Sequence, residues 1–196
     1  MQEGLSDRIR TQQFGFQKGK ATLDAINIIR RLQDLHLNTT EQPLYLAFLD
    51  WEKAFDRVNP LSLKVALRRI GVPPKIVQAI YSLYTNPQFR VLEQGLSQAT
   101  PCTSNYRKQH SGIRQGCPLS PYLFIILMTV LMADVEQKVR QSYPELFRRH
   151  INIFDIEYAD DTALIALSQP QLLFALRLVE QESAHYNLKL NEKNVN

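Results

Sequence analysis

Ile151-Asn152-Ile153-Phe154-Asp155-Ile156-Glu157-Tyr158-Ala159-Asp160-Asp161-Thr162-Ala163-Leu164-Ile165-Ala166-Leu167 holds two β-rich segments, residues 151–158 and 162–167, with only Ala159, Asp160 and Asp161 between them. That spacing predicts a β-hairpin with acids at its tip. Upstream, Leu44 to Leu49 is a short continuous apolar run that predicts a strand buried on both faces, and it ends in Asp50. Thr22 to His36 carries Leu23, Ile26, Ile28, Ile29, Leu32 and Leu35 at helical spacing, with Thr22 placed to cap. Asn59, Pro60 and Gly71 supply an N-cap, an N1 proline and a C′ glycine around a helix over Leu61 to Ile70. Further helices are expected from Pro74 to Tyr84, after Pro121, and from Leu172 to Tyr186, with a strand over Gln88 to Leu92. Glu93 to His110 lacks periodicity and reads as loop or irregular hairpin. Strands and helices interleaved at irregular intervals predict an α+β fold, an antiparallel sheet with helices packed on one face.

With 196 residues, 44% hydrophobic and 21% charged, the chain falls in the globular range, which excludes disordered, collagen-like and coiled-coil classes. Cys102 and Cys117 are too few for a disulfide framework and lack zinc-site spacing, so a reducing, intracellular setting in nucleus or cytoplasm is expected. The apolar run Tyr122 to Ala133 is shorter than the about 20 residues of a bilayer span, and Met1 to Gln13 has no signal-peptide core. Charge is uneven: residues 61–120 carry eight Lys or Arg against Glu93 alone. That block is either a solvated basic face or a surface that follows phosphates.

Asp50, Asp160 and Asp161 lie where apolar strands run out, and adjacent carboxylates resist desolvation unless a cation joins them. A lone Asp-Asp pair is an ordinary solvated turn, but two strand tips side by side could supply carboxylates to magnesium. Asp56 and Asp155 rank below them, the first beyond the strand and the second inside the hairpin. Gly112, Gly116, Pro118 and Pro121 surround Ile113, Arg114, Gln115 and Ser120 in a loop that either leads into the apolar helix or lets a flat ligand approach the backbone.

Taken together, three segments resemble the reverse transcriptases of the non-LTR retrotransposon and group II intron lineage. They are Phe48-Leu49-Asp50-Trp51-Glu52-Lys53-Ala54-Phe55-Asp56-Arg57-Val58, Ser111-Gly112-Ile113-Arg114-Gln115-Gly116-Cys117-Pro118-Leu119-Ser120-Pro121, and Tyr158-Ala159-Asp160-Asp161, in the family's order. Gln13-Phe14-Gly15-Phe16-Gln17-Lys18-Gly19-Lys20 resembles a fingers motif. The resemblance implies a polymerase palm over 44–196, with an inserted segment around 60–110, and partial fingers over 1–43. It implies Asp50 and Asp160 as principal ligands of two Mg2+ ions (Mn2+ being a substitute), with Asp161 in support. Phe55 would exclude a 2′-hydroxyl, and Arg114, Gln115 and Gly116 would lie beside incoming nucleotide and template base. Ser120 and Pro121 would start the supporting helix, and Tyr158 would flank the primer terminus. Lys18 and Lys20 are template contacts or solvated groups, and Trp51 has no catalytic reading.

The implied reaction is attack of a primer 3′-hydroxyl on the α-phosphate of a dNTP, directed by an RNA template on a DNA or RNA primer, without membrane involvement. The family's upstream fingers motif and its thumb are absent from the sequence, so the chain reads as a fragment. Leu188-Lys189-Leu190-Asn191-Glu192-Lys193-Asn194 resembles the Leu-Asn-x-x-Lys palm segment with Asn194 at the lysine position, leaving Lys193 as a misaligned proton donor. A nucleic-acid-binding remnant without turnover and an RNA-dependent RNA polymerase are the alternatives; Phe55 and the Gln-Gly-x-x-x-Ser-Pro loop argue against the second.

Overall fold

The structure is a computed structural model that describes residues 6–40, 43–93, 102–147 and 153–191. In chain order its elements are α1 (Thr22–Thr40), β1 (Tyr45–Leu49), α2 (Ala54–Arg57), α3 (Pro60–Arg69), α4 (Pro74–Leu83), β2 (Gln88–Phe89), β3 (Leu92–Glu93), β4 (Cys102–Thr103), β5 (Arg107–Lys108), α5 (Ser120–Ser142), β6 (Asp155–Tyr158), β7 (Asp161–Ala166) and α6 (Gln169–Ala184), with a 3-10 turn at Pro144–Phe147 before β6. The central sheet is antiparallel in the order β1-β7-β6. Tyr158 pairs with Asp161, so the hairpin turns on Ala159 and Asp160 alone, and Asp161 opens β7 instead of sitting in the turn.

The register sorts side chains onto two faces. Ala47, Leu49 and Leu164 join the main core, which α5, α6 and α3 complete. Leu46, Ile156 and Ile165 face the other way into a smaller core with Phe14, Ala25 and Leu32, which α1 supplies at one end of the sheet. The α+β reading holds: α3, α5 and α6 pack on one face of the sheet, and α1, from outside residues 44–196, adds its smaller cluster on the other. At the opposite end of that second face nothing apolar among the described residues covers Phe48, which is 54% exposed, so β1 is not buried on both faces as its apolar run predicts. As an edge strand it has a lining on one side only there.

α5 is buried nearly all round from Leu123 to Met132 because it runs between the sheet and its neighbouring helices. Each large side chain so buried contributes about 1.5–3 kcal/mol, which makes this helix the anchor of the fold. α3 keeps its expected caps: the Asn59 carboxamide accepts from the Leu61 N–H at 2.8 Å, and Gly71 takes a φ of 79°. α1 departs from expectation. Thr22 lies inside the first turn and the Asp24 carboxylate accepts the Ala21 N–H, while Ala25, Leu32 and His36 form the buried side and Leu23, Ile26 and Leu35 face outward. The irregular region resolves into two short ladders, β2 with β5 and β3 with β4, and α6 starts three residues earlier than its apolar periodicity suggests. Among the described residues no helix is long and apolar enough to cross a membrane.

Candidate active site

Register brings the acids together. Leu49 faces Thr162 across the β1–β7 ladder, and one step further along the same register sets Asp50 opposite Asp161. Directly opposed residues of an antiparallel pair have Cβ atoms about 5 Å apart. Asp50, Asp160 and Asp161 are all exposed, and Tyr158, on the same face as Asp161, is 36% exposed at the same rim. Burial pushes the Asp161 carboxyl above the usual range, and the charges of Asp160 and Asp50 push it the same way. Among the described residues neither Asp160 nor Asp161 forms an ion pair.

Asp50 is fixed from the side. The Asn191 N–H donates to the Asp50 carbonyl at 2.8 Å and its carboxamide donates to Asp50 Oδ2 at 3.1 Å. Trp51 bridges to Leu190, the Glu52 N–H donates to the Lys189 carbonyl, and the Trp51 indole N–H reaches Thr162 Oγ1 at 3.4 Å. Trp51 thus has a structural role as a buried tie between β1, β7 and the 188–191 segment. Lys193 and Asn194 lie outside the described residues.

A second cluster forms beside α2. The Phe55 ring is half-buried and stacks on Phe124 of α5 at 4.7 Å and 17°. The Phe55 carbonyl accepts from the Ile113 N–H and the Val58 carbonyl from the Gly112 N–H, both at 2.8 Å. Gly112 has a φ of 93°, and a Cβ there would fall 2.7 Å from the Asp56 carbonyl oxygen. Only glycine allows that conformation and that approach. The Gln115 carboxamide donates to Asp56 Oδ1 at 3.0 Å, which gives Asp56 a partner within this loop. Buried Ser120 donates to the Arg114 carbonyl at 2.5 Å and ties the loop to the start of α5. Arg114, Gln115 and Gly116 are exposed, and a cavity of about 600 Å³ runs from Arg114, Gln115 and Asp56 past Phe89 and Gln109. Asp50, Asp160 and Asp161 do not line it.

Behind the hairpin, Asp155 and Glu157 point into the main-core side, fully buried. Arg10 answers them with bonds of 2.6 and 2.5 Å to Asp155, 2.5 Å to Glu157 and 2.7 Å to Glu136 of α5. Burial would lower the Arg10 guanidinium, and its three acidic neighbours raise it instead. Burial and the nearby Asp155 push the Glu157 carboxyl up to about 8. Asp155 is accordingly structural. The Gln12–Phe14 backbone joins β6 through bonds between Phe14 N–H and the Glu157 carbonyl and between Glu157 N–H and the Gln12 carbonyl. Lys20 donates to the Thr11 and Gln13 carbonyls, an arrangement that sequence spacing does not signal.

Among the described residues no group of three or more acidic, imidazole or thiolate side chains is placed to hold a metal ion by itself. Asp50, Asp160 and Asp161 nonetheless offer exposed carboxylates, the donor type that a hard divalent cation takes together with water and phosphate oxygens.

Residues 1–195 match the family described as reverse transcriptase (RNA-dependent DNA polymerase). The chain is 29% identical to the retrovirus-related Pol polyprotein from type-1 retrotransposable element R2 of Nasonia vitripennis, over 70% of the chain and 12% of that protein. It is 28% identical to the transposon TX1 uncharacterized 149 kDa protein of Xenopus laevis, over 95% of the chain and 14% of that protein. It is 26% identical to the RNA-directed DNA polymerase from mobile element jockey of Drosophila melanogaster, over 91% of the chain and 18% of that protein. The chain thus spans less than a fifth of the length of these curated relatives. Apo telomerase from Candida tropicalis, truncated from its C-terminal domain, has a similar fold, with a TM-score of 0.66 at 16% identity over 94% of the chain and 35% of that truncated chain. The order of the motifs, the hairpin that carries the paired acids and the full-length match agree, and the chain belongs to the reverse transcriptase family, with relatives among the non-LTR retrotransposons.

Proposed function

We propose that the chain carries the polymerase centre of a non-LTR retrotransposon-type reverse transcriptase, performing template-directed DNA synthesis from dNTPs on a primer paired to RNA. The observation that supports it is the β1–β7 register, which ends with Leu49 opposite Thr162 and so carries Asp50 toward Asp161, whose carboxyl feels the Asp50 charge. On this reading residues 1–43 contribute part of the fingers, and 44–196 form the palm with an insertion around 60–110.

Asp50 and Asp160, with Asp161 in support, would hold two Mg2+ ions. When bound, such ions polarise the attacking and leaving oxygens of a phosphoryl transfer. The protein's own contribution is positioning. Asn191 holds Asp50, the two-residue turn fixes Asp160 and Asp161 relative to each other, and Tyr158 offers an exposed aromatic beside the primer end. Phe55 is braced by Phe124, so its ring resists displacement by a 2′-hydroxyl. Arg114, Gln115 and Gly116 line the open side of the loop, where a template base pair would rest.

The test is primer extension on an RNA template with Mg2+. Asp160→Asn should abolish incorporation while circular dichroism and unfolding midpoint stay near the wild type. Undiminished synthesis by that variant would refute the assignment, and preferred incorporation of rNTPs by the wild type would move it to an RNA-dependent RNA polymerase.

A further inference from the structure

Gln13 is fully buried, and the polar atoms of its side chain are all engaged. Its Oε1 accepts from the Gly15 N–H and from the Ala159 N–H, each at 2.8 Å. Its Nε2 donates to Glu157 Oε2 at 3.0 Å and lies 3.4 Å from the Ala159 carbonyl oxygen. Because backbone N–H groups only donate, the orientation of the amide is fixed by its surroundings. Ala159 is the residue between Tyr158 and Asp160, and it has a φ of 58°. An alanine in that left-handed conformation is strained by about 1–2 kcal/mol, so something around it must hold it there.

Two features of the 12–15 segment do so. One is the carboxamide of Gln13, which grips both the N–H and the carbonyl side of Ala159. The other is Gly15, whose missing side chain admits the Ala159 backbone: a Cβ at Gly15 would stand 2.3 Å from the Ala159 nitrogen. We propose that Gln13 is a positioning residue for the acid-bearing turn: by clamping Ala159 it sets where Asp160 and Asp161 point, and so how well the site binds a divalent cation. This inference rests on the reading of those acids as the metal site. Asparagine falls a methylene short of Ala159, and alanine offers no acceptor.

The experiment measures Mn2+ affinity of the full chain, by the loss of the free-ion electron paramagnetic resonance signal, together with the urea unfolding midpoint. Gln13→Ala should weaken Mn2+ binding about tenfold, the scale on which a group that orients a ligand acts. Val77→Ala, a cavity in α4 remote from the turn, should lower the midpoint and leave Mn2+ affinity unchanged. Wild-type affinity in Gln13→Ala, or an equal loss in Val77→Ala, overturns the clamp. If Gln13→Ala does not fold, Gly15→Ala carries the test, because it keeps the amide and displaces Ala159; wild-type affinity there overturns the inference. Asp160→Asn separates the two readings: if it binds Mn2+ as the wild type does, the metal site itself is misassigned, and if it does not while Gln13→Ala does, only the clamp fails.

Discussion

Replacing Arg10 with methionine keeps most of the side-chain volume and removes the only cation that touches Asp155 and Glu157 among the described residues. Both acids are 0% exposed, so neither can turn to water. Removing one partner of a buried ion pair costs about 3–5 kcal/mol, because the remaining charge is stranded. Against a total stability of about 5–15 kcal/mol, that loss is a large part of what holds the domain folded. The stranded carboxyls escape by taking up protons, so the cost must depend on pH. The wild type sets the direction: Glu157 already holds its proton more tightly folded than unfolded, so its contribution is complete below the ordinary glutamate value of 4.5 and fades as pH rises through about 8. Without Arg10 the Glu157 carboxyl shifts further up, and each extra proton bound in the folded state adds about 1.4 kcal/mol of loss per pH unit above the unfolded value. Urea unfolding followed by circular dichroism at pH 5.5 and pH 8 should find Arg10→Met destabilised by about 3–5 kcal/mol, with the loss no smaller at pH 8 than at pH 5.5. A loss under about 1 kcal/mol at pH 8, or a smaller loss there than at pH 5.5, would refute this account of the buried network.

Phe55→Val should raise the ratio of ribonucleotide to deoxyribonucleotide incorporation about 10- to 100-fold, the range one steric contact commands, and an unchanged ratio in single-nucleotide extension would remove the ring as a sugar filter. Gly112→Ala meets both an unfavourable φ of 93° and the Asp56 carbonyl at 2.7 Å, so its unfolding free energy should drop by about 2–5 kcal/mol; a change within about 0.5 would mean the loop yields easily. Asn59→Ala removes the acceptor for the Leu61 N–H and should cost about 1 kcal/mol in urea without altering Mn2+ affinity, which an affinity change would contradict.

What could be read in advance was local. Asn59, Pro60 and Gly71 act on their own helix, so α3 follows from its neighbours in sequence. The hairpin was legible because β-branched and apolar residues flank a short acidic interruption, although its turn is one residue tighter than the spacing suggests. α1 forms where its periodicity predicts a helix, but periodicity has no means of telling which apolar stripe finds a partner: the sheet takes Ala25 and Leu32 and leaves Leu23 and Ile26 outside. The acids of the site stand out as strand-end carboxylates and through motif resemblance, and their meeting depends on a pairing between residues far apart in the chain. Arg10 carries no local signal, since its partners lie at 136 and at 155–157, while Gln13 and Asn191 belong to motifs that do not disclose their grips on Ala159 and Asp50.

The two backbone hydrogen bonds that join residues 112–113 to residues 55 and 58 have a mechanical consequence. They weld the strip bearing Phe55 and the loop bearing Gln115 into one rigid bracket, seated on α5 through the Phe55–Phe124 stack and the Ser120 hydroxyl. On the proposed reading, the check on the sugar and the platform for the base shift as a single body, so evolution or engineering that widens one also tilts the other, and relaxed sugar choice and copying errors rise together.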